Sequence, residues 1–236
     1  VIVSVKYLEG DVYAESIGIN NETQEELTNI TVVKQKTGLT LNINPTGTFI
    51  GKTVTRSGVL VDGFGNPVSN ALITIKVNST EYLTKTGSDG SYSINNVTVA
   101  NGTIPVQVFY DGNESLDKVN TTGSFKVNKI PTVTLVSVVN DTANNVSIAV
   151  KVIDADNNPV RSGQFTVTYE GATTSVPVSG DVTNIPLKLY KNGTFILKVE
   201  YAENDVYLNS TGLNETLYPG STEIVKNITV NKQNTT

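Results

Sequence analysis

Apolar and polar residues alternate through most of this chain, in short runs broken by Gly, Asn, Asp and Pro. In the opening stretch Val1, Val3, Val5 and Tyr7 share one phase, while Ile2, Ser4 and Lys6 share the other. Much further on, Phe195, Leu197, Val199 and Tyr201 alternate with Ile196, Lys198 and Glu200. A period of two turns one set toward a core and the other toward water, as in a half-buried antiparallel strand. No long stretch keeps a 3.6-residue period, so helices are not expected. Asn101-Gly102, Asn192-Gly193, Asn66-Pro67 and Asn158-Pro159 punctuate the runs as turns. The pattern predicts an all-β fold.

The runs also recur. Val1–Tyr7 matches 195–201, Asp11-Val12-Tyr13 returns as Asp205-Val206-Tyr207, and Asn21-Glu22-Thr23 returns as Asn214-Glu215-Thr216. Asn29–Gln35 (NITVVKQ) returns as Asn227–Gln233 (NITVNKQ). A second, shorter period relates Val59–Val68 (VLVDGFGNPV) to Lys151–Val160 (KVIDADNNPV), and Asn101-Gly102-Thr103 to Asn192-Gly193-Thr194. Such self-similarity marks an array of repeated modules. It divides the chain into residues 1–36, the last two strands of a preceding or partner domain, then domains over 37–129 and 130–232, with 233–236 opening the next linker. Two strands without a sheet cannot cover their apolar face. Val1, Val3, Val5 and Tyr7 are therefore candidates for strand donation, either to an earlier domain of one long chain or to another subunit.

Composition narrows the function. Charged residues make up 17% and aromatic residues 7%, with no Cys, His, Met or Trp. The usual nucleophile–base pairs need His or Cys, and no Gly-x-Ser-x-Gly elbow, phosphate loop or dinucleotide fingerprint appears. An enzyme is not expected, and no cofactor is implied. A net charge of −5 argues against nucleic acid, which calls for a basic surface. No apolar run of membrane-spanning length occurs, so no membrane insertion is expected in this segment.

Fourteen Asn-X-Ser/Thr triplets stand at Asn21, Asn29, Asn78, Asn96, Asn101, Asn113, Asn120, Asn140, Asn145, Asn192, Asn209, Asn214, Asn227 and Asn234. Random placement would give roughly five or six, so the chain is expected to carry covalent N-glycans and to lie outside the cell. Asp154-Ala155-Asp156-Asn157-Asn158 spaces its side-chain oxygens as calcium prefers, but lacks the turn Gly and downstream Glu of an EF-hand loop. Asp154 and Asp156 thus form only a weak metal candidate beside the plainer reading of a β-turn. Tyr7, Tyr110 and Tyr201 lie on the apolar phase of their strands and are expected in cores rather than on sugar-binding faces.

Val61-Asp62 followed by Gly65-Asn66-Pro67-Val68, then Ser88–Tyr92 (SDGSY), Asn101-Gly102-Thr103, Val108–Asn113 (VFYDGN) and Phe125–Lys129 (FKVNK), together resemble the immunoglobulin-like repeats of methanogen adhesin-like surface proteins. They are also similar to bacterial Ig-like domains of the invasin kind. The second domain keeps Asn158-Pro159-Val160 and Asn192-Gly193-Thr194, but 178–182 (VSGDV) departs from the SDGSY motif. The resemblance implies tandem Ig-like β-sandwiches at an archaeal cell surface. The expected role is structural: an extracellular filament or stalk of N-glycosylated domains joined head to tail, with further copies of itself as partner. An adhesin module that grips a surface glycan or protein, or a subunit of an S-layer, are the alternatives.

Overall fold

The computed structural model describes Lys6–Tyr7, Ser16–Ile17 and residues 32–232. Every regular element among them is a strand. In the opening segment, β1 (Lys6–Tyr7) runs antiparallel to β2 (Ser16–Ile17), with Tyr7 opposite Ser16. Val1, Val3 and Val5 lie outside the described residues, as do Asn21, Asn29 and Asn234.

Nine strands follow in the first half: β3 (Thr37–Leu39), β4 (Asn42–Asn44), β5 (Gly47–Phe49), β6 (Thr53–Asp62), β7 (Leu72–Val77), β8 (Thr80–Lys85), β9 (Ser91–Val97), β10 (Gly102–Tyr110) and β11 (Val119–Asn128). One sheet has the order β5-β11-β10-β7-β8, and another β3-β6-β4 with β9 also on β6. The second half holds β12 (Thr132–Thr142), β13 (Asn145–Asp154), β14 (Gln164–Tyr169), β15 (Ala172–Pro177), β16 (Thr183–Leu187), β17 (Gly193–Tyr201), β18 (Ser210–Asn214) and β19 (Asn227–Val230). Their order is β15-β14-β17-β18-β12-β13-β16, with β19 beside β17. A three-strand layer of first, second and fifth strands facing a layer of third, fourth, sixth and seventh is the Ig-like sandwich.

The residues gather into two compact units. One holds the described residues up to Asn42 together with Arg56–Ile94 and Val106–Gly123; the other holds Ile43–Thr55, Asn95–Pro105 and the described residues from Ser124. In the first unit β7 and β8 form a tight hairpin over Asn78-Ser79, where Asn78 adopts φ 57°, as such turns require. Val106–Phe109 of β10 pairs with Thr74–Val77 on the other side of β7. Ile73, Ile75, Val106 and Val108 are fully buried, and Leu60, Tyr92 and Tyr110 join them. Arg56 is buried among them, 1% exposed, and burial pushes its guanidinium pKa below the usual value.

A continuous core fills the second unit from Val136 to Val230. β12 and β13 supply Val136, Val146, Ile148, Val150 and Val152; β14 and β17 supply Phe165, Val167, Leu197, Val199 and Tyr201. At about 25 cal/mol per Å² of apolar surface, these β-branched and aromatic side chains drive the closure of the two layers. The last strand is split. β18 runs parallel to β12, with Gly212 opposite Thr134, then the chain leaves over Glu215–Lys226 and returns as β19 against Gly193–Ile196. A Cβ on Gly212 would lie 2.7 Å from Val136 and 3.1 Å from Val199, so only glycine lets this strand reach both layers.

Candidate functional site

The feature repeated most faithfully is the way the chain enters each sandwich. In the first unit, Gln35 donates its N–H to the Ser115 carbonyl at 2.8 Å and accepts from the Asp117 N–H at 2.8 Å. In the second, Ile130 donates to the Val206 carbonyl at 2.8 Å and accepts from the Leu208 N–H at 2.9 Å. Both are parallel bridges onto the loop after the Tyr-ending strand. One Asx turn shapes that loop in each copy. Asn113 Oδ1 accepts from the Ser115 and Leu116 N–H groups, both at 2.8 Å, and Asn204 Oδ1 from those of Val206 and Tyr207, both at 2.9 Å. Hydroxyls add to the second joint: Thr132 donates to the Leu208 carbonyl at 2.9 Å, and buried Thr134 shares a 2.7 Å bond with Ser210. The Lys129 ammonium lies 2.7 Å from Glu203. Gln35 and Ile130 are thus hydrogen-bonded parts of the domains they enter.

The weak calcium candidate resolves into a turn. Asp154 Oδ1 accepts from the N–H groups of Asp156 and Asn158, both at 2.8 Å, and the Asn158 side-chain amide lies 3.3 Å and 3.2 Å from its two oxygens. Asp156 is taken by Lys52, whose ammonium lies 2.7 Å away. The matching Asp62 accepts from Phe64 and Asn66 in the same pattern. Burial alone would raise both carboxyls, but the surrounding N–H donors outweigh it and hold them below the usual carboxylate range. Among the described residues, no group of three or more His, Cys, Asp and Glu is placed to hold a metal ion. In 88–91, Asp89 caps its own turn, which carries the chain from β8 to β9 in the other sheet, by accepting from the Ser91 N–H and hydroxyl at 3.0 Å and 2.7 Å.

Tyr110 and Tyr201 are buried, as their phase requires. The Tyr201 hydroxyl donates to the Ser162 carbonyl at 3.0 Å and accepts from Asn204 Nδ2 at 2.8 Å. Tyr92, the other large buried phenol, donates to the Thr40 carbonyl, and burial pushes its pKa up to about 12. These rings fill cores and offer no stacking surface.

Among the described triplets, Asn78, Asn101, Asn113, Asn120, Asn140, Asn145, Asn192, Asn209 and Asn227 are exposed; Asn96 and Asn214 are half-buried. Asn214 accepts from the N–H and hydroxyl of its own Thr216, at 3.1 Å and 2.7 Å. Among the described residues, no helix is long and apolar enough to cross a membrane.

No family model matches the sequence, and no curated protein matches it. Among solved structures it is similar to invasin, a bacterial integrin-binding protein, at 14% identity and a TM-score of 0.49, over 75% of this chain and 39% of that one. It is similar also to the Yersinia pseudotuberculosis adhesin InvE, at 17% identity and a TM-score of 0.38, over 82% and 63% of the two chains. A third is a tetra-tandem repeat from the extending region of a large adhesion protein, at 14% identity and 0.38, over 75% and 47%. The chain thus spans about two fifths of the invasin chain. Its own strand order and core carry the assignment of fold.

Proposed function

We propose that this chain is a load-bearing segment of an extracellular filament or surface stalk, built from N-glycosylated Ig-like domains over 37–129 and 130–232. On this reading residues 1–36 complete a domain that precedes them or belongs to another subunit. The observation that carries it is the joint built twice: Gln35 on Ser115 and Asp117, and Ile130 on Val206 and Leu208. A connection held by backbone hydrogen bonds in each repeat leaves few free torsions at the seam, which suits a spacer that must keep its length. Parallel pairing of β12 with β18, and of β5 with β11, supports the same role. Tension between the two ends of a domain would load those hydrogen bonds together in shear rather than one at a time.

Exposed triplets spread over both halves support a glycan coat on the solvent side. Such a coat would shield sheet edges and hinder proteases. Electron microscopy of the native material is the test: threads with a regular axial repeat are expected, and two-dimensional sheets would refute the stalk. Intact mass before and after deglycosylation tests the coat, because a mass equal to the bare 25.2 kDa would refute it.

A further inference from the structure

The outer strand of the first unit carries an open edge. Among the described residues, β8 lies at the end of its sheet, with β7 on one side only. Its hairpin closes on the Val77–Thr80 pair across two turn residues, which makes that pair a hydrogen-bonded one. Hydrogen bonding alternates along an antiparallel ladder, so Tyr82 and Thr84 also bond to β7. The N–H and C=O groups of Glu81, Leu83 and Lys85 therefore point away from the sheet. All three side chains stand on the solvent face, and Leu83 is 67% exposed. Natural edges are usually blunted by proline, a bulge or a repelling charge. The matching strand β15 has Pro177 at its third outward position, whereas β8 has no proline and no register shift against β7.

We infer that β8 is a homotypic docking edge, pairing antiparallel with β8 of a second copy about a twofold axis at Leu83. That register sets Leu83 opposite Leu83, and Glu81 of each copy opposite Lys85 of the other. Charges that would ordinarily repel an incoming strand become two ion pairs, and three outward residues per copy complete the hydrogen-bond ladder. The apolar row extends inward. Leu83 is opposite Thr74, which is opposite half-buried Phe109, and exposed Leu72 lies diagonally beside it. Lys76, 3.7 Å from Glu81, continues the alternation of charge across the seam. Asn78 sits at the hairpin tip, beyond the paired stretch. The surface belongs to the first unit alone, and the pairing stands whether or not the chain serves in a stalk.

Sedimentation analysis of the full chain, with Glu81→Lys and Lys85→Glu variants, tests this. The unaltered chain is expected to show a concentration-dependent dimer. Either variant alone opposes like charges twice and is expected to weaken the dimer about tenfold or more. An equimolar mixture of the two restores both ion pairs and should recover it, as should the double variant E81K/K85E. Both positions are exposed, so folding is not at risk. A chain that stays monomeric at its solubility limit, single variants that dimerise as well as the parent, or a mixture that fails to recover would each overturn the proposal.

Discussion

Gly163 makes the seat of Tyr201: a Cβ placed on it would lie 2.6 Å from the phenol oxygen and 2.8 Å from the ring. Gly163 also has φ +99°, where a side chain is strained even in open space. The fully buried ring meets Phe165 and Tyr207 edge-on at 6.2 Å and 6.5 Å between centroids, and its hydroxyl ties Ser162 to Asn204. Gly163→Ala is expected to destabilise the chain by about 2–4 kcal/mol, from overpacking plus strain. Tyr201→Phe keeps the packing but loses both hydrogen bonds, for about 1–3 kcal/mol. Urea unfolding of the two variants checks the order.

Stability should be flat from about pH 5 to pH 9, because the chain has no His and its perturbed groups titrate outside that window. On the acid side, the Ser91 hydroxyl and N–H hold Asp89 low, the Lys151 ammonium holds Glu215 low, and turn N–H donors hold Asp62 and Asp154 low against the effect of burial. A carboxyl whose folded pKa is depressed stabilises the fold above its unfolded value, near 4, and that contribution is lost as pH falls through the folded value. On the alkaline side Tyr92 is raised to about 12, so its contribution is complete below the unfolded value near 10 and disappears as pH rises toward 12. Thermal melts across the range should therefore fall at both ends and show no step near pH 6.5.

Calcium should not stabilise this chain. The Asp154 carboxylate already accepts N–H donors from Asp156 and Asn158, and Asp156 is paired with Lys52. A cation would have to displace these donors. Melting temperatures with millimolar calcium and with chelator are expected to coincide, and a clear rise with calcium would contradict the turn assignment.

Glycan occupancy should follow exposure. Peptide mapping of native material is expected to find Asn78, Asn101 and Asn192 modified, since each is exposed at a turn or strand start. Half-buried Asn96 and Asn214 should be modified least. Equal occupancy at Asn214 and Asn78 would show that accessibility in the folded state does not set the pattern.

Thr134→Val tests the joint. Thr134 is fully buried and shares hydrogen bonds with Ser210, so its isosteric loss leaves the half-buried Ser210 hydroxyl with Thr132 as its remaining partner. A cost of about 1–2 kcal/mol is expected. Hydrogen exchange should report the loss first at Leu208 and Gly212, where the incoming segment and β18 meet.

The all-β class, the turns at Asn66-Pro67 and Asn158-Pro159, and burial of Tyr110 and Tyr201 were legible because each depends on a local pattern. A period of two sets which face of a strand is apolar, and Asn, Gly and Pro set where the chain can reverse. The likeness of Asp62–Asn66 to Asp154–Asn158 was legible too, and the two form the same hydrogen-bonded turn. Arg56 gave no signal, since nothing about a charged residue within an alternating run says that it points inward.

Spacing in the sequence thus determined the kind of element and the turns, both products of residues within a few positions of one another, while the repeat showed as self-similarity. Tertiary structure alone decided that Ile130 bonds to Val206, that the last strand divides into β18 and β19, and that β8 has no outer neighbour among the described residues. Each joins residues far apart in the chain, or depends on which strand lies beside which. Backbone hydrogen bonds are the same for every residue type, so strand order and free edges leave little trace in composition or period.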